Sequence, residues 1–212
     1  MAAKKSPKSH PAKPLKAMPG KVDPVGLRII GGSLRGSRLE YAGDKRVRPM
    51  KDRVREATFN LIHSEVAGAY ALDLFGGTGA LGLEAISRGA VGCLFTEQHF
   101  PTARVIQQNI RSLKLEDKTQ LITGDVFLTY RRNPPLPKEL RWVVFCSPPY
   151  RFFNERTEDV YELLESLMKQ APQGSLFVAE SDTTFDWSHF EALGPWEIRA
   201  YPPAVLGIRR IE

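Results

Sequence analysis

Apolar positions along the chain fall into two alternating rhythms. Short, near-continuous apolar runs occupy residues 70–75, 91–95, 120–123, 142–146 and 175–179, and stretches with helical spacing lie between most of them, at about 80–88, 101–113 and 155–169. Strands that are apolar on both faces and separated by helices predict a parallel sheet covered on both sides. The end of the chain breaks the rhythm. The runs at 196–201 and 205–211 are separated only by Pro202-Pro203-Ala204, too short for a crossover helix, so these two strands should pair antiparallel. The expected architecture is α/β: seven strands, mostly parallel, helices on both faces, and an antiparallel C-terminal hairpin.

Ahead of this pattern, residues 27–39 read as a short strand, a turn at Gly31-Gly32 and a second strand. A basic loop ends at Arg48-Pro49-Met50, and a helix is expected over about 51–64, with Asp52 in its first turn and Val54, Ala57, Leu61 and Ile62 on one apolar stripe. Lys51 and Arg55 share another face. Residues 1–26 are rich in Lys, Pro, Ala and Ser without periodicity, the composition of a disordered tail. The organisation predicted is a basic tail at 1–26, an N-terminal hairpin and helix at 27–65, and a main domain at 66–212.

Charge sharpens the picture. The net charge is +6, but residues 1–26 carry +5 and 27–65 carry +4, leaving the remainder at −3. Positive charge gathered at one end points to a polyanionic partner, with Arg35, Arg48, Lys51, Arg53 and Arg55 as the candidate phosphate contacts. Some of these arginines have the alternative of pairing with Asp52 or Glu56. Cys93 and Cys146 sit inside apolar runs and read as buried thiols in a reducing compartment. The four scattered histidines show no metal-ligand spacing. No apolar stretch is long enough to span a membrane, and the first residues lack the apolar core of a secretory signal.

The first strand of the main pattern runs into Asp73-Leu74-Phe75-Gly76-Gly77-Thr78-Gly79-Ala80-Leu81-Gly82. Glycines let a backbone turn sharply against a ligand, and the helix that follows offers its N-terminal amides. Gly77, Gly79 and Gly82 also fit a dinucleotide fingerprint. Three carboxylates favour S-adenosylmethionine instead. Asp73 ends the strand before the glycines, where it suits an amino-acid ammonium and would repel a pyrophosphate. Glu97 ends the second strand and suits a ribose diol, which either cofactor carries. Asp125 follows the third strand and suits an adenine amino group. Each of the three also has the bland alternative of a helix cap, yet together they mark the carboxyl ends of successive strands, where open α/β sheets bind ligands. Phe75, Gly76, Gly77, Thr78 and Gly79 complete the cofactor set, with no metal.

The fourth strand leads into Ser147-Pro148-Pro149-Tyr150, a rigid protruding loop. An exocyclic base amine is a poor nucleophile because its lone pair is delocalised. Acceptors aimed at its two hydrogens favour tetrahedral nitrogen and its growing positive charge. The Ser147 hydroxyl and Pro148 carbonyl can supply them, and Tyr150 can stack on the base.

Taken in order, Leu27-Arg28-Ile29-Ile30-Gly31-Gly32, the segment Arg48 to Glu56 (RPMKDRVRE), the glycine loop from Leu72 to Glu84 and Ser147-Pro148-Pro149-Tyr150 resemble the bacterial small-subunit (16S) ribosomal RNA guanine-N2 methyltransferase family. The resemblance implies a class I methyltransferase (Rossmann-like) fold and a monomeric cytoplasmic enzyme. It also implies methylation of a guanine N2 in 16S ribosomal RNA, within the small subunit or an assembly intermediate. The family usually has Asp at the position of Ser147, and a hydroxyl is a weaker acceptor than a carboxylate. Serine in this motif resembles cytosine-N4 DNA methyltransferases. That enzyme, or an RNA-binding assembly factor with weak turnover, stays open as the alternative.

Overall fold

The computed structural model of the protein describes residues 26–41, 43 and 50–212. The tail expected at 1–26 lies outside the described residues but for Gly26. Seven strands, β1 (Tyr70–Asp73), β2 (Gly92–Glu97), β3 (Thr119–Thr123), β4 (Trp142–Cys146), β5 (Leu176–Asp182), β6 (Glu197–Tyr201) and β7 (Ala204–Arg210), form one sheet in the order β3-β2-β1-β4-β5-β7-β6. The pairs among β1 to β5 are parallel, and β7 pairs antiparallel with both β5 and β6. The α/β architecture expected from the apolar rhythm is therefore present, with β7 rather than β6 docked on the parallel sheet.

Alternate residues of β4 enter separate cores on the two faces. Val143 and Phe145 join Ile29, Phe59, Ile62 and Leu83 on one side. Trp142, Val144 and Cys146 join Leu72, Phe153, Leu164 and Phe177 on the other. Both cysteines are buried. The first core is sealed by α1 (Asp52–Leu61), α2 (His63–Val66), α3 (Ala80–Ser87) and α4 (Phe100–Ser112), the second by α5 (Val126–Arg131), α6 (Arg151–Glu155) and α7 (Thr157–Gln170). The helix expected over 51–64 breaks at Ile62, whose φ of −114° leaves the helical region. Helix α5 is an element that the apolar periodicity does not announce. Asp125 starts it by accepting the Leu128 amide at 3.0 Å.

Helix α3 is buried along all eight residues. It is covered all round: β1 and β2 lie on one side, and the 27–39 segment, which meets Glu84 and Ser87, lies on the other. That segment forms a single antiparallel bridge, Arg28 to Arg38, instead of two full strands. Beyond the amides that pair within the hairpin, its backbone finds partners on α3. The Ile30 and Gly31 amides each donate to the Glu84 carboxylate at 2.7 Å, and the Leu34 amide donates to Ser87 Oγ at 2.9 Å. The hairpin and α1 thus share one core with the main sheet. Among the described residues no helix is long and apolar enough to cross a membrane.

Candidate active site

The carboxyl edge of the sheet collects the motif residues. After β1 the chain turns through Phe75 to Gly79, with the Gly76 amide on the Thr96 carbonyl and the Gly79 amide on the Gly76 carbonyl. Gly79 begins α3 at φ 78°, a left-handed conformation that a side chain would strain. A Cβ on Gly82 would lie 2.4 Å from the Phe95 ring and 2.5 Å from Cys93 Sγ, so only glycine lets α3 seat this closely on β2. Thr78 is buried, and its carbonyl accepts from Asn109 at 3.0 Å. Phe75 packs edge-on against Phe127 and Phe152.

All three carboxylates read from the sequence do hold backbone amides. Asp73 Oδ2 accepts the Gly82 amide at 3.1 Å. The two Glu97 oxygens accept the Gly77 amide at 2.9 Å and the His99 amide at 2.7 Å. Asp125 caps α5. The bland capping alternative is thus present at each position, and it does not exhaust them, since a carboxylate has about four acceptor sites. Asp73 is 2% exposed, and burial pushes its carboxyl up to about 7, with Glu97 adding repulsion. A buried carboxyl that pairs with no cation among the described residues suits an ammonium ligand. Glu97, with one oxygen on the glycine loop and the other on the His99 amide, keeps a further lone pair on each and suits a diol.

Beside this loop, Ser147 to Tyr150 leave β4. Register sets what they meet. Cys146 pairs with Ala179 across β4 and β5, so the next residue on each strand brings Ser147 against Glu180. The Ser147 hydroxyl donates to Glu180 Oε2, and the Tyr150 hydroxyl donates to Oε1 at 2.8 Å. Glu180 is buried, and desolvation raises its carboxyl above the ordinary value against the pull of the two hydroxyls. The sequence reading misses Glu180 by closing the apolar run at Ala179. The signal is nonetheless there: Glu180 follows an apolar strand just as Asp73 and Glu97 do.

The basic cluster separates into two kinds of residue. Arg35, Lys51 and Arg53 are exposed. Arg48 lies outside the described residues. Arg55 corrects the expectation of a phosphate contact, because its side chain is 0% exposed. Its guanidinium donates to the Arg28 carbonyl at 2.6 Å and to Asp52 at 3.0 Å, and lies 3.7 Å from Glu84. Burial pulls its pKa down. Helix α1 presents this face to the core because the 27–39 hairpin and α3 close over it.

Comparison with known proteins places the chain in a family. The model of "Conserved hypothetical protein 95" matches residues 27–200. The chain is 32% identical over 152 residues to the "Ribosomal RNA small subunit methyltransferase D" of Escherichia coli (strain K12), spanning 72% of this chain and 73% of that protein. Among solved structures, a hypothetical protein of Thermus thermophilus superposes with a TM-score of 0.66 at 26% identity, covering 87% of this chain and 99% of that one. An RNA methyltransferase from Salinibacter ruber in complex with S-adenosyl-L-homocysteine shares the fold at 17% identity, with a TM-score of 0.56 over 77% of this chain and 94% of that one.

Proposed function

The chain belongs to the conserved hypothetical protein 95 family, together with the ribosomal RNA small subunit methyltransferase D proteins, and from that premise we propose that it transfers a methyl group from S-adenosylmethionine to the exocyclic N2 of a guanine in 16S ribosomal RNA. The enzyme is an S-adenosylmethionine-dependent ribosomal RNA methyltransferase. The base, the nitrogen and the setting within the small subunit are our reading.

The observation that carries it is the adjacency of two loops on one sheet edge: the glycine turn after β1, with Asp73 and Glu97, and the Ser147-Pro148-Pro149-Tyr150 turn after the neighbouring β4. The residues fit the cofactor. Asp73 is the partner for its ammonium, Glu97 for its ribose hydroxyls and Asp125 for its adenine amino group, with Phe75 and the Gly76-Gly77-Thr78-Gly79 turn lining the approach. Bound there, S-adenosylmethionine supplies an electrophilic methyl carbon on sulfonium. The protein's part is alignment and charge. Ser147 Oγ and the Pro148 carbonyl accept from the two amine hydrogens. Tyr150 fixes the plane of the base. Arg35, Lys51 and Arg53 stand outside the core and are suited to phosphates; these contacts would set register on the RNA without reading its sequence.

The test is transfer of tritiated methyl onto small subunits from cells lacking this protein, onto naked 16S ribosomal RNA and onto DNA, followed by nucleoside analysis. Label in N2-methylguanosine of 16S ribosomal RNA is the expected result. Label in N4-methylcytosine of DNA would replace this reading with the DNA enzyme. Binding of small subunits without transfer to any acceptor would replace it with an assembly factor.

A further inference from the structure

Resting on the methyl-transfer reading above, we propose that Glu180 is the proton acceptor of the reaction, acting through Ser147 as a positioning residue that turns a neutral serine into a relay. The inference starts from directions of donation. Ser147 commits its hydroxyl proton to Glu180 Oε2, and Tyr150 commits its own to Oε1. With Glu180 ionised, both of its oxygens accept, one from each hydroxyl. The Ser147 oxygen then has only lone pairs left to offer a substrate, which fixes it as an acceptor. A serine without such a partner would rotate and donate as readily as accept.

The surroundings of Glu180 single it out. It lies on an interior strand, with β4 on one side of β5 and β7 on the other, opposite Leu206. It is 5% exposed. Among the described residues no lysine, arginine or histidine pairs with it. A carboxylate buried without a cation is unfavourable for folding, and burial strengthens its hold on a proton. Such groups cluster where chemistry needs them.

The step balances. The base nitrogen forms its bond to the sulfonium methyl carbon, and the carbon–sulfur bond breaks with its electron pair going to sulfur. The nitrogen, now cationic, loses a proton to Ser147 Oγ while the Ser147 proton moves to Glu180. The neutral methylated amine departs, and Glu180 returns its proton to water. The carboxylate that an aspartate would supply at the serine position is thus supplied one strand away.

The experiment uses the full chain and compares Glu180→Gln with the double variant Ser147→Asp/Glu180→Gln. In glutamine one oxygen still accepts from one of the two hydroxyls, the NH2 that replaces the other oxygen can only donate, and the amide takes no proton. Glu180→Gln is expected to lower kcat on the order of a hundredfold, with KM for RNA changed less than about twofold. Ser147→Asp in that background restores a carboxylate beside the amine and is expected to recover roughly tenfold or more. A merely structural Glu180 would gain nothing in kcat from the added aspartate. The second readout needs no cofactor: the carboxylate infrared band lost in Glu180→Gln should shift in Ser147→Ala and in Tyr150→Phe. Wild-type turnover in Glu180→Gln, no recovery in the double variant, or a Glu180 band unmoved by both hydroxyl deletions would each overturn the proposal. A wild-type protein that methylates no RNA would instead overturn the function on which the proposal rests.

Discussion

Glu84 on α3 and Glu180 on β5 are both buried glutamates, and their neighbours could hardly differ more. Glu84 is surrounded by positive charge and amides: Arg88 at 2.9 Å, Arg55 at 3.7 Å, and the Ile30 and Gly31 amides at 2.7 Å. Glu180 meets two hydroxyls, from Ser147 and Tyr150. The first arrangement satisfies a charge and leaves it nothing further to do, so it fastens the N-terminal hairpin to the core. The second holds a buried carboxyl with no cation beside it among the described residues. The same side chain reads as a rivet in one place and as a reactive group in the other, and the presence or absence of a guanidinium makes the difference.

The sharpest way to break this contrast is Glu84→Ala. Removing it leaves the buried Arg55 with Asp52 as its one carboxylate, deprives Arg88 of its partner and leaves two hairpin amides unpaired, at a cost of roughly 3–5 kcal/mol, read from urea denaturation. If the loss matched that of Glu180→Ala, the distinction between rivet and reactive group would be void. Asp73 belongs with Glu180, buried and paired with no cation among the described residues, and it predicts a pH dependence. Its carboxyl is raised from 3.8 to about 7 in the fold. Between those values the native state binds the extra proton, so stability falls as pH rises through that window, by up to about 4 kcal/mol. Asp73→Asn should flatten the profile; a profile as steep as wild type would assign the slope elsewhere. A smaller effect is expected for Tyr150→Phe, which leaves one Glu180 oxygen without its hydroxyl and costs about 1–2 kcal/mol, measured by thermal melts alongside a lowered kcat. Smallest in stability are Lys51→Ala and Arg53→Ala, within about 0.5 kcal/mol of wild type. Their effect should appear in RNA binding, with the slope of affinity against salt reduced by about one for each. An unchanged slope would remove them from the interface.

Much of the fold is legible because burial on both faces writes itself into a strand as an unbroken apolar run, as in residues 142–146. The strand-end carboxylates Asp73, Glu97 and Asp125 are legible for the same reason, since each interrupts or follows such a run. Their hydrogen bonds are not, because one oxygen can cap a helix while the other faces a ligand, and sequence carries no such division. Arg55 misleads because a helix shows its own faces in its sequence but not what covers them. Its partner Glu84 lies 29 positions away and looks, by itself, like one acid in an apolar helix. Glu180 escapes notice because its meaning depends on register: it acquires its role only when β5 lies beside β4. Helix α5, six residues long, is too short for periodicity to declare.

The reversal of strand direction between β5 and β7 has a geometric outcome for whatever approaches this edge. Asp182 at the end of β5 pairs with Ala204 at the start of β7, and Tyr201 at the end of β6 pairs with the same Ala204. The tight corner at Pro202-Pro203 therefore emerges on the same rim as Pro148-Pro149, two strands over and roughly 10 Å along the sheet. Both prolines of this second corner are exposed. The spacing between this corner and the exposed Pro149 is set by the sheet rather than by loop length, so the two proline turns keep a fixed separation along the rim.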